Sequence, residues 1–201
     1  MQSISMKKRI IMGTLILLLL SLISSRGLTQ LQGKKVIMIV PMKDFWDVEL
    51  TQLKEIFEHN GLVVTIASSA MKETKGMFGT KIMPDVVLNK VRGALYDAII
   101  FIGGEGAVQY WDDPHAHRLV KEVLKAGKIL GAISVAPIIL ANAKALHGKN
   151  ATAWPTLGKR LEWAGAIYTG KPVEVDGKIV TANSPDAAEE FAKAILGVIL
   201  Q

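Results

Sequence analysis

The stretch Gly127-Lys128-Ile129-Leu130-Gly131-Ala132-Ile133-Ser134-Val135-Ala136-Pro137 decides the fold. Its first half is an uninterrupted apolar run, the pattern of a strand buried on both faces. Its second half turns at once into a helix that continues to about Leu146. Small neighbours flank Ser134, as a sharp strand-to-helix elbow requires. Such a turn is strained and lifts its central side chain over free backbone N–H groups. Ser134 is therefore a candidate nucleophile. The simpler reading makes it the cap of the following helix.

The same alternation runs outward in both directions. Val36–Val40, Val63–Ala67 and Ala98–Ile102 are further buried strands. Residues 46–59 space apolar side chains as a helix does and stop at Asn60-Gly61. Residues 70–95, punctuated by Gly76, Gly79 and Pro84, read as a hairpin or excursion at the sheet edge. Asp113-Pro114 starts a helix that ends at Gly127. Ala151–Ala153 is a short strand, 156–164 a helix and 173–180 a hairpin on Asp176-Gly177. Pro185–Leu200 closes the chain as an amphipathic helix. Strands alternating with helices predict a mainly parallel sheet covered on both faces. Its crevice lies at the carboxyl ends of the strands. That rule gathers Pro41–Asp47, Gly103–Glu105 and Ser134–Pro137 on one edge. Gly103-Gly104 can turn sharply there and aim N–H groups at an oxyanion, or can simply end a strand.

Charge separates the chain into two parts. Residues 1–35 carry Lys7, Lys8, Arg9, Arg26, Lys34 and Lys35 and no acid. The remaining 18 basic residues balance the 18 acidic ones, so the surplus of +6 belongs to the N-terminal extension. A folded body without excess basic charge argues against nucleic acid as a partner. Lys7-Lys8-Arg9 followed by an apolar run from Ile10 to Ile23 reads as a targeting segment. Basic residues before the run place the domain outside the cytoplasm. The expectation is a leader over 1–33 and one α/β domain over 34–201. That domain is extracytoplasmic, either secreted after cleavage near Ser25-Arg26-Gly27 or held at the membrane by residues 10–25. With no cysteine, disulfides, thiolate metal sites and thiol catalysis are all excluded. His115 and His117 have no third ligand in their motif, so no metal site is expected. Asn150-Ala151-Thr152 is an acceptor sequon, relevant where exported proteins are glycosylated.

The elbow segment, the strand ending in Gly103-Gly104, Phe45–Leu50, Ala67-Ser68, Val175–Gly177 and Thr181–Pro185 together resemble the family of PfpI-type intracellular proteases and Parkinsonism deglycases. The resemblance covers about residues 34–200. It implies a flavodoxin-like three-layer sandwich, a homodimer or higher homo-oligomer, and no cofactor. It also implies a reactive cysteine at the elbow, a glutamate after the first strand that hydrogen-bonds it, and often a histidine beside it. Carried over, these positions are Ser134, Trp46 and Val135. A serine hydroxyl is a far weaker acid than a thiol and needs an adjacent base. Val135 cannot accept a proton, and the Trp46 indole offers only an N–H donor. His115 could face the crevice as a base, oriented by Asp47 or Glu105, or could be a solvated helix-start residue. Ligand-binding candidates are Gly103, Gly104, Glu105 and Pro137. Three functions follow: a scaffold that binds an unidentified small molecule or protein after losing thiol chemistry, a serine hydrolase built on Ser134, or a structural or stress-related oligomer with a sealed crevice.

Overall fold

The computed structural model describes residues 29–201. The apolar run at 10–25, on which the leader reading falls, lies outside the described residues. Among the described residues no helix is long and apolar enough to cross a membrane.

Strands β1 (Lys35–Ile39), β3 (Val63–Ser68), β7 (Ala98–Phe101), β8 (Ile129–Ile133), β11 (Val173–Asp176) and β12 (Ile179–Ala182) join the short β6 (Val86–Val87) in a seven-stranded sheet. Its order is β6-β3-β1-β7-β8-β12-β11. Every neighbouring pair is parallel except β11 with β12, the hairpin turning on Gly177 at φ 60°. The order reverses between β1 and β7, which makes their carboxyl ends the switch point where ligands of open α/β sheets bind.

Alternating side chains divide the core in two. Ile37, Ile39, Ile99, Phe101 and Leu130 face one way and meet Leu119, Val120 and Val123. Those three line one side of helix α2 (Pro114–Lys125). Val36, Met38, Ile100 and Ile133 face the other way. There they meet Leu50, Leu53 and Phe57 of α1 (Asp47–His59) and Phe191 and Ile195 of α5 (Ala188–Ile199). Gly131 keeps that second layer close: a Cβ there would stand 3.0 Å from Cζ of Phe191. The result is the three-layer α/β sandwich expected from the sequence.

Three local features differ from expectation. Helix α3 covers only Pro137–Asn142 rather than reaching Leu146, because Lys144 takes a left-handed conformation at φ 67°. The helix over 156–164 is a 3-10 turn, Pro155–Leu157, followed by α4 (Gly158–Trp163). The excursion at 70–95 is anchored by a partner that periodicity does not reveal. Strand β2 (Lys43–Phe45) pairs with β4 (Thr74–Gly76), which pairs with β5 (Lys81–Ile82). A parallel ribbon of β9 (Asn150–Ala151) and β10 (Ile167–Tyr168) completes the fold.

Candidate functional site

Ser134 follows β8 directly and has φ 61°, left-handed backbone that a non-glycine residue adopts only under constraint. The constraint is hydrogen bonding on both sides. Ser134 N–H donates to Ala182 O at 2.9 Å, and Ser134 O accepts from Trp154 N–H at 2.8 Å. The side chain is not a helix cap. Ala136 occupies the N-cap of α3, with Pro137 buried behind it, so the capping reading is overturned.

The carboxyl beside Ser134 belongs to Glu49, not to position 46. Glu49 lies in the first turn of α1, fully buried, and its Oε2 accepts from Gly103 N–H at 2.8 Å. A Cβ built on Gly103 would stand 2.8 Å from both Glu49 Oε2 and Ser134 Cβ, so the three residues meet at one point. Burial raises the Glu49 pKa from its ordinary 4.5 to about 8, and hydrogen bonds from Gly103 and the Ser134 hydroxyl pull it back only partly. At neutral pH the group is a carboxylic acid, a donor rather than a base. Its Oε1 is buried and, although the Ser134 hydroxyl acts on the carboxyl, has no well-formed hydrogen bond.

The assignment of the glutamate position to Trp46 is therefore corrected. Side chains of a helix lean toward its N-terminus, so a first-turn residue reaches back over the strand ends. Glu49 also shares the buried stripe of Leu50, Leu53 and Phe57. A carboxylate on that stripe was the signal available in the sequence. Trp46 is the N-cap residue, and its N–H donates to Gly103 O at 3.2 Å. Its ring packs edge-on against Phe78, centroids 5.6 Å apart, and lies 6.5 Å from the Trp154 ring. The two indoles stand at the approach to an elbow whose serine is 2% exposed.

The remaining candidates separate. Asp47 does not orient His115, because its carboxyl is engaged by the 78–80 backbone. Burial opposes its charge, but hydrogen bonds from Thr80 and Phe78 hold its carboxyl below the usual range, and it fastens the 76–80 loop. His115 is exposed on the first turn of α2 without a hydrogen bond among the described residues. His117, two residues on, pairs its Nε2 with Trp111 O at 2.8 Å. Glu105 is exposed at the start of a 3-10 turn. No cluster of three possible metal ligands exists among the described residues.

The glycine pair divides its work. Gly103 N–H is held by Glu49, so it is not the oxyanion donor expected of it. Gly104 adopts φ 98°, ψ 162°, a conformation open only to glycine. The N–H groups of Gly104 and Val135 have no partner among the described residues. Trp111 Nε1 holds Val135 O at 3.2 Å, and the Arg160 guanidinium covers that indole at 4.4 Å. The site thus offers a hydroxyl, a buried carboxylic acid and two free backbone N–H groups. This set can receive an oxygen acceptor but contains no base at neutral pH.

A family profile described as DJ-1/PfpI matches residues 34–197. The uncharacterized protein MJ0967 of Methanocaldococcus jannaschii is 38% identical over 194 residues, covering 92% of this chain and 95% of its own. The glutathione-independent glyoxalase DJR-1.2 of Caenorhabditis elegans is 28% identical over 81% of this chain and 87% of its own. Among solved structures, the ThiJ/PfpI domain protein from Brachyspira murdochii superposes with a TM-score of 0.81 at 30% identity, covering 84% of this chain and 97% of its own.

Proposed function

The chain belongs to the DJ-1/PfpI family, and from its serine elbow we propose that it is an extracytoplasmic binding member of that family which has lost thiol-dependent peptidase, glyoxalase and deglycase activity. One observation carries this reading. Among the described residues the titratable group against Ser134 is Glu49, which burial keeps protonated at neutral pH, so it cannot take the serine's proton. With the Gly104 and Val135 N–H groups, the elbow suits a carbonyl or carboxylate oxygen of a small ligand. Isothermal titration with glyoxylate, which carries both groups, should show binding that Glu49→Leu abolishes. Turnover of methylglyoxal by the purified chain would sink the loss of activity.

The leader reading adds location. The match to MJ0967 covers a larger share of this chain than residues 34–201 can supply, so it runs into the N-terminal segment. Lys35 begins β1 at the amino edge of the sheet, and the elbow lies at the opposite edge, about 17 Å away at strand rise. The N-terminal mass of protein from membrane and soluble fractions decides between anchoring and secretion. A homodimer or higher homo-oligomer is the proposed assembly, checked by analytical sedimentation.

A second reading rests on the Ser134 backbone. A strained serine against a carboxyl is also a hydrolase elbow once Glu49 ionises. Fluorophosphonate labelling that appears only above about pH 8 and vanishes in Ser134→Ala would favour it. No labelling at any pH leaves the binding reading.

A further inference from the structure

Outside the elbow a cleft of about 320 Å³ opens between Trp46, Val48, Trp154 and the turn carrying Asn183, Ser184 and Asp186. Each wall is tied to the elbow. Trp46 N–H donates to Gly103 O, Trp154 N–H donates to Ser134 O, and the 183–186 turn follows Ala182, whose carbonyl holds Ser134 N–H. The cleft therefore borders the elbow.

Its chemistry is one-sided. Two indoles line it, and no lysine, arginine or histidine does. Asp186 is its one ionic group and has no hydrogen-bond or ion-pair partner among the described residues. The Trp46 and Trp154 rings are 6.5 Å apart and tilted by 32°. A flat ring stacked between them would need two contacts of about 3.5 Å, more than this gap allows. A compact cation lodged in the cleft touches both indoles, and over a ring face within about 6 Å it is held by cation–π attraction. Phe78 against Trp46 fixes one ring in advance.

We propose that this cleft takes an alkylated ammonium group, its methyls against Trp46 and Trp154 and its charge offset by Asp186. A primary ammonium would need three well-placed acceptors, whereas an N-methylated one needs apolar faces and a nearby anion. The inference deepens the binding reading and rests on it: the ligand would carry a cationic head in the cleft and an oxygen acceptor at the elbow.

The test is a titration followed by tryptophan fluorescence, with tetramethylammonium, choline and 3,3-dimethylbutan-1-ol, the uncharged counterpart of choline. Both cations should bind, and the alcohol should bind about fivefold to thirtyfold more weakly, the range of a desolvated cation–π contact. Asp186→Asn, an exposed position that leaves the fold intact, should weaken the cations and not the alcohol. Trp154→Leu should weaken both cations, and Ser134→Ala neither. Equal affinity for choline and the alcohol overturns the proposal, as does no response to either cation up to about 50 mM, far weaker than roughly millimolar binding. Glyoxylate separates the two ideas. If it binds and the cations do not, the cleft proposal falls and the elbow reading stands. If the cations bind and glyoxylate does not, the elbow reading falls alone.

Discussion

Gly103 N–H donates to Glu49 Oε2 at 2.8 Å, joining the loop after β7 to the first turn of α1 beneath Ser134. That bond keeps a carboxyl in the core, and burial raises its pKa to about 8. The consequence for stability has a definite sign. The folded-state value lies above the unfolded one, so the acid's contribution is complete below about 4.5 and is lost as pH climbs toward about 8. Across that window the native state should weaken by at most about 1.4 kcal/mol per pH unit from this group. Glu49→Gln removes the slope. Urea midpoints at pH 5 and pH 9 should diverge in the wild type and draw together in the variant.

Ser134→Cys tests what the elbow does to an acid. The Gly104 and Val135 N–H groups are free to face a negative charge, and Glu49 beside it is neutral. A thiol placed there should ionise below the value of about 8.5 for free cysteine. The wild type has no thiol, so iodoacetamide would label one site, and its rate against pH reads the ionisation directly. Glu49→Leu in the same background should move the midpoint upward. A midpoint at or above 8.5 in the parent would show that the elbow does not stabilise anions.

Legibility tracked periodicity. The apolar runs of β1, β3, β7 and β8 announced a parallel sheet because strands buried on both faces leave no polar position. Asp113-Pro114 announced α2, whose cap accepts from Ala116 N–H at 2.8 Å. Strand β2 stayed hidden: Lys43 and Asp44 are exposed, and its pairing with β4 depends on backbone bonds between distant segments. The elbow was legible from its small residues, but its carboxyl was assigned to Trp46. Position along the motif alone points to Trp46. Glu49 stands one helical turn further on, and the direction of the side chain on α1, not nearness in sequence to β1, brings it to Ser134. His115 failed as a base for the converse reason, since the first turn of α2 leaves it in solvent.

The glycines at the switch point should differ sharply from those at ordinary turns. A Cβ on Gly104 would stand 2.3 Å from Asp44 O and 2.5 Å from Trp46 N, both backbone atoms with no freedom to yield. Gly177 has φ 60° and open space around it. Gly177→Ala should cost about 1–2 kcal/mol, the left-handed penalty alone. Gly104→Ala adds overpacking and should cost about 3 kcal/mol or more. Denaturant melts of both variants check the difference.

Trp46 should control access to the elbow more than stability. The residue is half-buried, touches Phe78 edge-on and caps α1 without a side-chain hydrogen bond. Trp46→Ala therefore loses an aromatic contact and part of an indole's burial, about 1–3 kcal/mol. Ser134 is 2% exposed, and Trp46 lines the cleft outside the elbow. Combined with Ser134→Cys, the truncation should speed reaction of the new thiol with a bulky aromatic disulfide far more than with iodoacetamide. Equal acceleration of both would mean a general loosening of the elbow. No acceleration of either would place the barrier at Trp154, whose ring lies 6.5 Å from that of Trp46.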